Sequence, residues 1–103
     1  MKVGEMEEVC NALVCEHPYV EFDYKNVSYI IQPEAWPNGK SYFVIWTAYS
    51  DKENICLYKE EVTSSEIVAK DVVDSALNAK CFDGKSFVEI ANDVEITGMF
   101  GAG

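Results

Sequence analysis

The sequence predicts an α+β domain: a four-stranded antiparallel β-meander with an N-terminal helix and two C-terminal helices packed on one face, in the order αββββαα. Apolar residues recur at helical spacing towards both ends of the chain, and apolar runs separated by short turns fill the middle. Strands joined by short turns are usually neighbours in a sheet, which favours the meander. With 103 residues, the chain is long enough for one domain, residues 1–103, and one core.

The first helix is predicted over residues 2–16, where apolar side chains follow helical spacing and acidic residues fill the opposite side. Pro18 ends it, because the residue before a proline avoids the helical conformation. Residues 19–24 alternate between apolar and acidic, as expected of a strand. A two-residue turn at 25–26 then leads to the second strand, residues 27–34.

The third strand, residues 41–49, contains the longest apolar and aromatic run and is predicted to be central in the sheet. The turn signal Pro-Asn-Gly-Lys at 37–40 precedes it. A polar turn at 51–54 separates it from the fourth strand, residues 55–62. Each of these two turns is interpreted as a four-residue connection.

Two capping boxes predict where the remaining helices begin. The first opens at Thr63, and its helix is expected to run to about Lys80. Gly84 is suited to a helix stop, and the second box opens a short helix at Ser86. For the tail, about 96–103, packing of Ile96, Met99 and Phe100 remains open as an alternative to fraying, and residues 101–103 are expected to fray.

Turn lengths also predict which side chains share a face of the sheet. With turns of two, four and four residues, one face becomes almost entirely apolar, and the helices are expected to cover it. This predicted covered face consists of Val20, Phe22, Tyr24, Val27, Tyr29, Ile31, Tyr42, Val44, Trp46, Ala48, Ile55 and Leu57.

The opposite face is predicted to carry an apolar patch with an acidic rim. A fully solvated face needs no such patch, which is typical of a partner surface, a dimer interface or the floor of a groove. Two alternatives remain: the C-terminal tail covers the patch, or the register differs. The predicted patch is Ile30, Phe43, Ile45 and Tyr58, and its rim is Glu21, Asp23, Glu34 and Glu60.

The net charge of the chain limits the classes of partner that it can bind. Eighteen acidic residues against eight basic ones give a formal charge of −10. Phosphate backbones and anionic membranes repel such a chain, so we expect neither nucleic-acid nor membrane binding. Neither a signal peptide nor a membrane span is recognisable, and we expect a cytoplasmic protein with reduced cysteines.

The chemical motifs in the chain are incomplete. Gly-Lys-Ser at 84–86 resembles the end of a phosphate-binding loop, but Ala79 stands where that motif needs glycine. Cys10, Cys15 and His17 include metal-binding residue types, yet structural zinc needs four ligands. A nucleophilic Cys–His pair needs electropositive surroundings, which this chain supplies poorly. We therefore predict no catalytic residue, no metal site and no cofactor.

The sequence thus predicts a non-catalytic acidic interaction protein, of the inhibitor, immunity or adaptor kind, that binds a basic protein or a second copy of itself. Alanine at Phe43 or Tyr58 is then expected to weaken association without unfolding the domain. The alternative is a small-molecule-binding domain or small enzyme with a pocket between helices and sheet. That pocket would be lined by Tyr24, Tyr29, Tyr42 and Trp46.

Overall fold

A computed structural model describes residues 3–100, with side chains from Glu5 to Met99. The α+β class and the antiparallel sheet are confirmed, but the sheet has five strands rather than four. None of the helices within this range is long and apolar enough to span a membrane. In chain order, the elements are α1 (Val3–Leu13), β1 (Tyr19–Tyr24), β2 (Val27–Ala35), β3 (Ser41–Thr47), β4 (Cys56–Val62), α2 (Lys70–Asn78), α3 (Phe87–Ile90), a 3-10 turn (Ala91–Asp93) and β5 (Glu95–Phe100).

The tail, which the sequence left either packed or frayed, forms a fifth strand. β5 pairs antiparallel with β1, which places Ile96 opposite Phe22, and the sheet order is β4-β3-β2-β1-β5. β1 is therefore an internal strand, and the tail extends the sheet sideways rather than folding over its face. Residues 101–103 of the predicted tail lie outside the described residues.

The two capping boxes have different outcomes. The second is confirmed: the Ser86 hydroxyl accepts from the Glu89 N–H at 3.2 Å, and the Glu89 carboxylate accepts from the Ser86 N–H at 3.0 Å. The first forms only a local turn, in which the Ser64 hydroxyl accepts from the Glu66 N–H at 3.0 Å. Helix α2 begins later, at Lys70, and α1 likewise ends earlier than predicted.

The predicted register between β1 and β2 is confirmed. Tyr24 lies opposite Val27, and Phe22 lies opposite Tyr29. A two-residue hairpin turn of type I′ needs positive φ at both central positions. Lys25 and Asn26 supply it, with φ of 50° and 64°.

The predicted register between β2 and β3 is wrong by one residue. Ser41 pairs with Ala35 rather than with Trp36, because Trp36 belongs to the loop. The Trp36 N–H donates to the Lys40 carbonyl at 2.8 Å, and the Gly39 N–H donates to the Trp36 carbonyl at 3.1 Å. The connection therefore has five residues, 36–40, and this shift moves every β3 side chain to the other face.

The shift carries Phe43 and Ile45 into the core, where both are fully buried. Tyr58 lies opposite Ile45 and Glu60 opposite Phe43, so Tyr58 also leaves the predicted apolar patch and Glu60 leaves its predicted rim. The Tyr58 hydroxyl donates to the Glu60 carboxylate, and burial followed by this hydrogen bond raises the pKa of Tyr58. Of the predicted apolar patch, only Ile30 faces away from the helices.

Helices α1, α2 and α3 all contribute to a core on one face of the sheet, as predicted. Phe22 of β1 lies at its aromatic centre, with ring centroids 4.9 Å from Phe87, 5.2 Å from Tyr29 and 5.8 Å from Phe82. The buried core residues are Val9, Leu13, Val20, Phe22, Tyr24, Ile31, Phe43, Ile45, Val68, Val73, Ala76, Leu77, Phe82, Phe87, Ile90 and Val94.

Replacing Gly39 by alanine should lower the free energy of unfolding by about 1 kcal/mol, because an L side chain disfavours positive φ. Gly39 has φ of 83°, and a Cβ there would meet nothing within 4 Å, so the cost is conformational. Gly98→Ala is the control: its Cβ would lie 3.6 Å from the Glu21 Cβ, an ordinary contact. Urea denaturation of both variants measures the difference, and equal effects would contradict the positive φ of Gly39.

Candidate binding site on the outer sheet face

The outer face is defined here as the side of the sheet opposite the core. Its side chains come from all of the strands β1 to β4, and it combines aromatic rings with carboxylates. Val44 is fully buried even on this side, so the surrounding side chains form a closed layer over the strand. The outer-face residues that are paired within β1 to β4 are Glu21, Asp23, Ser28, Ile30, Gln32, Glu34, Tyr42, Val44, Trp46, Cys56, Lys59 and Glu61.

Both tryptophans of the chain donate to one carboxylate oxygen on this face. Oε1 of Glu34 accepts from Nε1 of Trp36 at 3.1 Å and from Nε1 of Trp46 at 3.1 Å. Oε2 of the same side chain accepts from Nε2 of Gln32 at 2.9 Å. Hydrogen bonds to an ionised acceptor are stronger than neutral ones. Glu34 therefore fixes the orientation of two large aromatic side chains.

A lysine lies on the aromatic rings beside this network. Nζ of Lys59 is 4.4 Å from the centroid of the Trp36 ring and 4.8 Å from that of Tyr42. The two rings themselves lie 4.8 Å apart. Such distances are typical of cation–π interactions. The outer face thus already holds one cation of its own chain against aromatic surfaces.

A solvent-open cleft of about 330 Å³ lies beside Glu34 and Trp46. Its volume falls at the lower end of the range of small ligand sites. Hydrogen bonds hold its far end: the Thr47 hydroxyl accepts from the Ile55 N–H at 2.7 Å, and the Asn54 side chain accepts from the Tyr49 N–H at 2.6 Å. The lining residues are Ile30, Gln32, Glu34, Trp46, Thr47 and Asn54.

The acidic rim at the β1 side is also held by hydrogen bonds. The Glu21 carboxylate accepts from the Tyr19 hydroxyl at 3.0 Å and from the Thr97 hydroxyl at 3.1 Å. The Asp23 carboxylate accepts from the Ser28 hydroxyl at 2.5 Å. These hydrogen bonds restrain both carboxylates of the rim.

The predicted site residues therefore separate into two groups. Ile30, Glu21, Asp23 and Glu34 lie on the outer face as predicted. The predicted pocket residues are not brought together, because Tyr24 and Tyr29 pack towards the core whereas Tyr42 and Trp46 lie on the outer face. Sequence reasoning missed the hydrogen-bonded set of Trp36, Trp46 and Gln32 around Glu34.

Three of the four cysteines have raised pKa values, chiefly because burial penalises the thiolate. Further contributions come from Asp74 at Cys10, from Glu34 at Cys56 and from Cys56 at Cys81. All four cysteines, including Cys15, are free thiols. Cys10, Cys56 and Cys81 are therefore protonated near neutral pH, which is unfavourable for a nucleophile.

Alkylation of Cys10, Cys56 and Cys81 by iodoacetamide should remain slow at pH 7 and should still be accelerating above pH 9. The reason is that only the thiolate reacts, and its fraction rises as the pH approaches the raised pKa. Peptide mass spectrometry gives the rate at each site, with N-acetylcysteine as the reference thiol. Full-rate alkylation of one of these sites at pH 7 would instead identify a reactive cysteine.

Of the sequence-based metal candidates Cys10, Cys15 and His17, only His17 belongs to a group of possible metal ligands in the described part of the chain. Among the described residues, Glu16, His17 and Glu66 present ligand atoms within 4.8 Å of one another, and all three are exposed. The backbone N–H of His17 also donates to the Glu66 carbonyl at 2.7 Å, which joins the two loops. Exposed groups of this kind are common without an ion, so the cluster supports no metal assignment.

Comparison of the chain with protein-family models, with curated proteins and with solved structures found no match. The function therefore has to be inferred from the chemistry of the outer face.

Proposed function

We propose that the protein is a non-catalytic acidic interaction protein, of the inhibitor, immunity or adaptor kind, that binds a basic protein through the outer face of its sheet. The observation that carries this proposal is the Glu34 network, in which one carboxylate oxygen accepts from both Trp36 and Trp46. Tryptophan is enriched among the residues that dominate binding energy at protein interfaces. Side chains already fixed before binding also lose less entropy on association.

The charge of the outer face supports a basic partner. Glu21, Asp23, Glu34 and Glu61 contribute carboxylates, whereas Lys59 is the basic residue among those that define this face. Complementary charge speeds encounter and suppresses wrong partners. The same charge opposes association of two copies through this face, because like charges would meet. A heterologous partner is therefore preferred over a homodimer.

Site-specific photo-crosslinking tests the proposal. A benzoylphenylalanine is placed at Ile30 or Tyr42 on the outer face, and the control positions are Ile67 and Val88, which are 57% and 46% exposed but lie outside it. After incubation with an extract of the source cells, the outer-face positions should capture one and the same protein. Trp46→Ala should reduce that capture while the controls capture nothing in common with it.

Three outcomes would contradict the proposal. They are capture of the same protein from the Ile67 or Val88 position, absence of any specific product from both outer-face positions, and crosslinking only to a second copy of the chain. The last result would identify the outer face as a homodimer interface.

A further inference from the structure

We infer that the cleft beside Glu34 and Trp46 binds an arginine side chain of the basic partner. This inference rests on the proposed function and names the chemical group that the outer face would recognise. The cleft combines a carboxylate, an indole ring and the apolar side chain of Ile30. Guanidinium groups pair with carboxylates and stack on aromatic faces, while their aliphatic stems pack on apolar surface.

The Glu34 carboxylate has capacity for a further donor. A carboxylate offers about four acceptor positions. The indole N–H groups of Trp36 and Trp46 use two positions at Oε1, and Gln32 uses one at Oε2. One position at Oε2 therefore remains, on a side chain that lines the cleft. The donors already bound are neutral, so they leave the negative charge of Glu34 in place.

Among the described residues, no lysine forms a direct ion pair with Glu34. The ion pairs formed by Lys40, Lys70 and Lys80 involve Glu61, Asp74 and Glu89 instead. Lys59 lies on the Trp36 and Tyr42 rings. A half-buried carboxylate that forms no direct ion pair in its own chain favours binding of an external cation.

The arrangement favours arginine over lysine. The lysine ammonium is a compact and strongly hydrated charge, whereas the guanidinium is planar and more weakly hydrated. Two of the six residues that line the cleft, Ile30 and Trp46, are apolar or aromatic. A planar cation can lie on the indole and direct one edge to Oε2 of Glu34. The position of Lys59 on two rings shows that aromatic surface on this face already accommodates a cation.

A nuclear magnetic resonance titration of the full chain tests the inference. The probe is Nα-acetyl-arginine amide, compared with the lysine and citrulline analogues, of which citrulline is the neutral isostere. The arginine probe should cause saturable shifts at the amides of Ile30, Gln32 and Asn54 and at the indole N–H of Trp46. Affinity should be roughly millimolar, as expected of one side chain. The lysine analogue should bind several-fold more weakly, and the citrulline analogue should cause no saturable shift.

Variants assign the effect to the cleft. Glu34→Gln keeps an acceptor for the indoles but removes the charge, and it should weaken arginine binding at least tenfold. Glu8→Gln removes the same charge from an exposed position on helix α1, away from the outer face, and should leave binding unchanged. Trp46→Leu removes the aromatic wall and should also weaken binding, which keeps the test decisive if Glu34→Gln does not fold.

Several results would overturn the arginine assignment: no saturable shift with the arginine probe, equal binding of the citrulline analogue, or unchanged affinity in both Glu34→Gln and Trp46→Leu. Such a failure is distinct from failure of the proposed function. If crosslinking at Ile30 still captures a partner, the outer face remains a binding surface and only the arginine assignment is wrong. If crosslinking fails as well, the proposed function is also wrong.

Discussion

Replacing Phe43 by alanine should lower the free energy of unfolding by about 3–5 kcal/mol, the usual cost of removing a buried phenylalanine ring. Phe43 is fully buried on the core side of β3. Because small domains are stable by only about 5–15 kcal/mol, this single change removes a large part of the total. Urea denaturation followed by circular dichroism measures the loss.

The matched control is the neighbouring aromatic residue, Tyr42, which lies on the outer face. Its ring contacts Trp36 and Lys59 but contributes nothing to the core. Tyr42→Ala should cost about 1 kcal/mol, the size of an aromatic and cation–π contact. If Phe43→Ala lowers the free energy of unfolding as little as Tyr42→Ala does, then β3 presents the opposite set of side chains to the helices. It would also restore the sequence-based expectation for Phe43.

Replacing Glu34 by alanine should lower the free energy of unfolding by about 1–3 kcal/mol, because three donors lose a charged acceptor. The affected groups are the two indole N–H groups and the side-chain amide of Gln32. In a proton–nitrogen correlation spectrum, the indole signals of Trp36 and Trp46 should move towards the positions typical of solvated indoles. Urea denaturation gives the energetic part.

Glu61→Ala is the control for this second change. Glu61 forms an ion pair with Lys40 at 3.3 Å, in which the two side chains are 59% and 58% exposed. Exposed pairs of this kind contribute about 0–1 kcal/mol. If Glu34→Ala and Glu61→Ala have the same small effect and the indole signals do not move, water satisfies the indoles and Glu34 does not organise the site.

The register of the first hairpin could be predicted from sequence because one local feature determines it. Lys25 and Asn26 adopt positive φ, and β1 before them alternates between apolar and acidic side chains. The face of β3 could not be predicted in the same way. Tyr42, Val44 and Trp46 form one alternating set, Phe43 and Ile45 the other, and both sets are apolar. Only the loop length decides between them, and it depends on the hydrogen bonds of Trp36.

The candidate site was predictable only in its acidic part. Glu34 could be placed on the outer face because β2 follows directly from the first hairpin. The two indole groups that donate to Glu34 could not be placed there from sequence. Trp46 reaches Glu34 only in the register that the five-residue loop imposes. The fifth strand was missed for a related reason. Gly98 and a bulge interrupt its alternation, and its pairing with β1 is a contact between distant parts of the chain.

The orientation of Trp46 relative to the sheet is the most direct measurement of whether the outer face exists as described. Nuclear Overhauser contacts from the indole N–H of Trp46 should reach the side-chain protons of Glu34 and Gln32, while the Phe43 ring contacts methyl groups of the core. Contacts from the Trp46 ring to the methyl groups of Ala76 or Leu77 in α2 would contradict this orientation. Such contacts would place Trp46 on the core side of the sheet. The proposed partner surface and the proposed arginine site, which both depend on Trp46, would then be wrong.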